Sequence, residues 1–168
     1  MNVSRLALIA AFVVAAGSAH AQSAEGDFLK RFNGSFAGGG GVRTAADGSP
    51  WNVKCKVNGA STDSSVKIDG NCTAAAVVTR RIGADLTVDS SGRYTGTYIG
   101  SKIGPAALSG RRQGDTIVLD VTWPKPVNGD TKAKMTISNT GSGFSFAVDD
   151  LDKPGGKPVR MSDIRLTR

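Results

Sequence analysis

WNVKCKVNGASTDSSVKIDGNCTAAA, residues 51–76, reads as two alternating arms around a polar turn. On the first arm Val53, Cys55 and Val57 alternate with Lys54 and Lys56. On the second, Val66 and Ile68 alternate with Lys67 and Asp69. A period of two sends successive side chains to opposite faces of a strand, so each arm has one apolar and one charged face. If residues 50–57 and 64–76 form a hairpin centred on Asp63-Ser64, facing residues carry numbers that sum to 127. Cys55 then faces Cys72, Val53 faces Ala74, and Val57 faces Gly70. Both cysteines fall on apolar faces, so a cross-strand disulfide follows from alternation.

The same period continues outward along the chain. Ile117, Leu119, Val121 and Trp123 alternate with Val118, Asp120 and Thr122, and Ala133, Met135 and Ile137 with Lys132, Lys134 and Thr136. Phe144, Phe146 and Val148 alternate with Ser145 and Ala147, and Ile164 and Leu166 with Arg165 and Thr167. Turn signals separate the runs: Asp47-Gly48, Asp69-Gly70-Asn71, Ser91-Gly92, Gly114-Asp115, Asn128-Gly129, Gly141-Ser142-Gly143 and Pro154-Gly155-Gly156. Asn128-Gly129 is the pair a type I′ turn demands, because both positions take positive φ. No long helical period interrupts, which excludes βαβ units and a parallel sheet. The expected fold is all-β: a single antiparallel meander closing into a barrel of about 8–10 strands, since closure removes the edges of so long a meander.

One short helix is expected before the strands. Phe28, Leu29 and Phe32 share a helical face and Asp27 stands where a cap belongs, after a small, polar and flexible tip at residues 22–26. Upstream, Arg5, the apolar run Leu6–Gly17 and the small-x-small site Ala19-His20-Ala21 read as a signal peptide of residues 1–21. Cleavage near Ala21 would take 21 of 168 residues and leave 147, one domain at 27–168 behind the tip. It would remove one of 21 basic residues, leaving 20 against 14 acidic, a net charge of +6. The expected location is periplasmic or secreted, with no transmembrane segment. An oxidising compartment agrees with Cys55–Cys72 as a structural bridge.

Chemistry is constrained mainly by what the mature chain lacks. His20 is the only histidine, and it goes with the leader. That removes the usual general base and the commonest metal and haem ligand. Paired cysteines leave no thiol nucleophile, and the one mature glutamate, Glu25, falls in the flexible tip. Only an aspartate-dependent hydrolase remains as an enzymatic route, so the expectation is no enzyme, no cofactor and no metal. Gly38–Gly41 lacks the flanking elements and lysine of a phosphate loop, and reads as a bent or bulged first strand. Asp149-Asp150-Leu151-Asp152 lacks the ligand spacing of a calcium loop, and reads as an acidic turn between the last two strands. The basic residues are spread rather than clustered, which argues against nucleic acid.

The candidate ligand-binding residues are Trp51, Tyr94, Tyr98 and Trp123 as an apolar lining, with Arg112 and Lys125 as charge partners. At Trp123-Pro124-Lys125-Pro126 the segment reads either as a pocket rim or as a strand that stops at proline, its tryptophan closing one end of the core. Alternation does not choose between a hollow and a filled barrel.

A short helical turn followed by Phe32-Asn33-Gly34-Ser35-Phe36 resembles the opening of calycin-type barrels, such as lipocalins and nitrobindin-like proteins. In those barrels a Gly-x-Trp strand is packed by an arginine or lysine from the end of the barrel. Gly34 and Phe36 match that motif with Phe in place of Trp, and the resemblance implies Arg165 or Arg168 as the closing cation. Haem binding is not implied, because the histidine it needs is missing. The remainder of the chain resembles exported proteins of Gram-negative bacteria.

The resulting expectation is an exported, non-enzymatic β-barrel that binds a small apolar or amphipathic anionic ligand or an envelope component. The alternative is a filled barrel whose basic outer face, bearing Lys54-x-Lys56 and Lys132-x-Lys134, contacts an envelope component or a protein partner.

Overall fold

The computed structural model describes residues 17–168, with side chains from Ala24 onward. The leader expectation rests mostly on residues 1–16, which lie outside the described residues. One helix, α1 (Gly17–Lys30), precedes ten strands. These are β1 (Gly34–Val42), β2 (Trp51–Ser61), β3 (Ser65–Ala74), β4 (Val78–Val88), β5 (Arg93–Ile99), β6 (Ala106–Gln113), β7 (Thr116–Val127), β8 (Asp130–Asn139), β9 (Gly143–Leu151) and β10 (Pro158–Thr167). Each strand pairs antiparallel with its sequence neighbours, and β1 pairs with β10 to close the barrel. The all-β meander read from the sequence is the observed fold.

The β2–β3 hairpin has the expected register. Cys55 pairs with Cys72, Val53 with Ala74 and Val57 with Gly70. The Cys55–Cys72 disulfide is formed, with Cα atoms 4.0 Å apart and both residues buried. At the β7–β8 turn Asn128 and Gly129 have φ of 51° and 97°, as a type I′ turn requires.

Four local expectations need correction. Helix α1 begins at Gly17, so residues 22–26 are helical rather than a flexible tip, and Asp27 lies inside the helix instead of capping it. Glu25 shares the i, i+3, i+4, i+7 face of Phe28, Leu29 and Phe32, and its bonds to Tyr94 and Arg112 hold this part of the helix on the barrel. Strand β1 is not bulged, since its register runs unbroken against both β2 and β10. Its glycines answer a close approach: a Cβ on Gly40 would stand 1.9 Å from the Asp163 carbonyl oxygen. Strand β7 does not stop at Pro124. The ladder to β8 lapses between Thr122 and Val127, where two prolines donate no N–H, then resumes at Val127–Asp130. Finally, Asp149 and Asp150 belong to β9, and only Asp152 sits in the turn.

The barrel's two ends differ. Helix α1 plugs one, where Phe28, Leu29 and Phe32 are buried against the interior. Phe32 meets Phe144 edge-on at 5.4 Å, and Phe144 meets Phe36 at 5.0 Å. Of the two arginines expected as the closing cation, Arg168 is the one that lies over Phe36. The Arg168 guanidinium lies 5.0 Å from the Phe36 ring centroid, and its Nη2 donates to the Arg31 carbonyl at 2.8 Å. Arg165 is exposed on the outer face of β10, because inward Ile164 and Leu166 flank it. Gly34 starts β1 beneath Arg168. In mid-barrel only a void of about 30 Å³ remains, between Ile68, Met135, Ile137 and Phe144. The opposite end, ringed by the β1–β2, β3–β4, β5–β6, β7–β8 and β9–β10 connections, is open.

Candidate functional site

A cavity of about 390 Å³ opens at the unplugged end. Strand alternation builds it. Val42 on β1 pairs with Trp51 on β2 and with Ser162 on β10, so these three form the layer nearest the mouth. Val53 and Ile164 face inward below them, and Val78, Ile82 and Phe146 complete the apolar wall. The volume is near the lower end of the roughly 300–1,000 Å³ spanned by small-molecule sites. Glycines of β1 contribute no side chains to the interior, which helps keep this end hollow.

The polar groups are few. Arg80 follows the inward parity of Val78 and Ile82 on β4, so a cation projects from the inner face of the barrel at the mouth. Lys102 reaches the same cavity from the β5–β6 loop. Tyr98 stands at the base, its ring edge-on to buried Trp123 at 6.2 Å and tilted on Phe146 at 6.4 Å. Burial pushes the Tyr98 hydroxyl up to about 12, while nearby Arg80 pulls the other way. Ser162 is 7 % exposed and its Oγ has no hydrogen-bond partner. It follows a register shift between Arg160 and Ser162 in the β9–β10 ladder, the kind of irregularity that re-aims a side chain. An orphaned hydroxyl inside a cavity is a group that a ligand would satisfy.

The six candidate ligand-binding residues do not converge. Trp51, 56 % exposed at the rim, and Tyr98 line the cavity. Trp123 lies in the wall behind Tyr98, where its indole Nε1 donates to Asp150 Oδ2 at 3.3 Å. Lys125 is exposed on β7 within the lapse in the ladder and does not line this cavity. Tyr94 and Arg112 sit at the plugged end. There the Tyr94 hydroxyl donates to Glu25 Oε1, and Arg112 Nε donates to Glu25 Oε2 at 2.9 Å. Arg112 also stacks 4.7 Å from the Phe28 centroid. This trio pins the helix to the barrel, and burial, with the bond to Glu25, raises the Tyr94 hydroxyl far above its ordinary value.

The residues missed by sequence reasoning are Arg80, Lys102 and Ser162. Parity along β4 is the signal that points to Arg80. The lining carries no carboxylate, imidazole or free thiol, Cys72 being bridged. Among the described residues no cluster of His, Cys, Asp and Glu is arranged to hold a metal. Chemically, the arrangement suits an apolar body with an anionic head. No family model, no curated protein and no solved structure matches the chain.

Proposed function

We propose that this chain is an exported, non-enzymatic binding protein that takes a small apolar or amphipathic anionic ligand into the open end of its barrel. One observation carries the reading: a cavity of about 390 Å³ with apolar walls, two cations at its mouth and an unsatisfied buried hydroxyl. The apolar portion of the ligand would lie on Val53, Ile82, Phe146 and Ile164. Its anionic head would remain near Arg80 and Lys102, where water still screens the charge. Arg168 on Phe36 at the plugged end supports the likeness to calycin-type barrels. The buried disulfide is compatible with an oxidising, periplasmic or extracellular location.

Titration with anilinonaphthalene sulfonate, an apolar body bearing one sulfonate, tests the reading by fluorescence. One saturable site is expected, and Arg80→Gln should weaken it about tenfold, equivalent to about 1.4 kcal/mol. Absence of saturable binding, or equal affinity in an Arg80→Gln, Lys102→Gln double variant, contradicts the reading.

A second reading rests on the outer wall. Two open hollows of about 520 and 600 Å³ lie over β1–β3, beside Lys54, Asn71 and Thr73 and over the bare backbone of Gly40. They favour contact with an anionic envelope component through Lys54 and Lys56. Loss of envelope binding in Lys54→Glu, Lys56→Glu, with dye binding intact, would support that reading instead.

A further inference from the structure

Four large apolar residues stand exposed among the described residues: Trp51 at 56 %, Val77 at 81 %, Val78 at 56 % and Ile99 at 37 %. Ile99 lies apart on the outer wall, paired with Gly83. The other three share the mouth. Trp51 and Val78 line the same cavity, and Val77 sits beside them in the β3–β4 turn with Ala75 and Ala76. That turn holds both alanines at positive φ, 47° and 61°. Left-handed backbone costs a residue with a Cβ roughly 1–2 kcal/mol, and such conformations gather at functional segments. Here the strained tip presents a valine to solvent.

Cations surround the same patch. The mouth loops contribute Arg43, Lys102, Lys153 and Lys157, and β4 adds Arg80; the nearby carboxylates are Asp47, Asp130 and Asp152. None of these five cations forms an ion pair among the described residues. At the plugged end Lys30, Arg31 and Arg112 are each matched to a carboxylate, while Arg93, Arg111 and Arg168 are not; what sets the mouth apart is that its cations surround exposed apolar side chains. An apolar patch ringed by unmatched cations has the composition of a surface that seats at the headgroup boundary of an anionic bilayer.

We propose that the open end of the barrel docks on anionic phospholipid membranes, with Trp51, Val77 and Val78 entering the interface and the mouth cations meeting the headgroups. This places the cavity entrance against the membrane. The docking does not depend on the ligand reading, because vesicle binding and dye binding are measured separately.

The test is sedimentation with vesicles of phosphatidylglycerol or phosphatidylcholine, together with tryptophan emission in a Trp123→Phe background that leaves Trp51 as the only indole. Binding to phosphatidylglycerol alone is expected, weakening as salt rises, with a blue shift of Trp51. Val77 is outside the cavity lining, so Val77→Asp should reduce binding at least fivefold and leave dye affinity and melting unchanged. Lys153→Glu with Lys157→Glu should reduce it similarly, whereas Lys54→Glu on the outer wall should not. Failure to sediment with phosphatidylglycerol, binding with no change at Trp51, or full binding by Val77→Asp overturns the proposal.

Discussion

Asp150 is the one carboxylate among the described residues that is sealed within the barrel wall, only 3 % exposed. Its Oδ1 accepts from the Leu151 N–H at 2.8 Å and its Oδ2 from Trp123 Nε1 at 3.3 Å. Burial nevertheless dominates and raises its pKa, and Asp130 adds to the shift. A carboxyl raised on folding favours the folded state while protonated. That contribution is fully present below the ordinary carboxylate value and is lost as pH rises through the raised one. Chemical denaturation across this range should therefore record a loss of stability on going upward from about pH 4, and Asp150→Asn should flatten that part of the profile. An identical slope in the variant would remove Asp150 as its source. At this scale the sequence was only half legible. Parity places Tyr94 and Tyr98 on one face, but four residues at about 3.3 Å each set them roughly 13 Å apart, at opposite ends of the barrel. Arg80 follows the same parity rule, but adjacent Arg81 and the small pair Gly83-Ala84 blur the alternation of β4.

At the scale of elements, the β2–β3 hairpin was readable because two independent signals coincide. Alternation and the position of Asp63-Ser64 give the same register, and that register brings the cysteines together. The bridge spans a separation of 17 residues, so losing it should cost about 3 kcal/mol, or roughly 6–12 °C in melting temperature. Calorimetry of Cys55→Ala, Cys72→Ala against the oxidised protein measures this directly, and an unchanged melt would mean the bridge constrains nothing. Helix α1 was less readable, because the groups that extend it are remote in sequence. Glu25 looks like part of a polar tip until Arg112, 87 residues away, supplies its partner. Strand β7 misled for a local reason: proline breaks a hydrogen-bond ladder without bending the chain out of the sheet.

For the whole molecule, ten sequential strands and a β1–β10 closure leave two ends and one interior. The interior is filled from the helix to mid-barrel and hollow from there to the mouth, an outcome between the two that alternation left open. Periodicity shows which side chains face inward but not how far up the barrel they fill it, since that depends on stagger between strands. The division gives the ends different characters: the plugged end fixes the fold through Phe32, Phe36, Phe144 and Arg168, and the open end carries the cavity in which we propose that a ligand binds. Titration of isotope-labelled protein with anilinonaphthalene sulfonate, followed by amide chemical shifts, tests that division most directly. Saturable shifts are expected at Val53, Arg80, Tyr98, Lys102, Phe146 and Ser162, with Tyr94, Arg112 and the helix unchanged. Shifts centred on the helix end, or none at the mouth, would contradict that division.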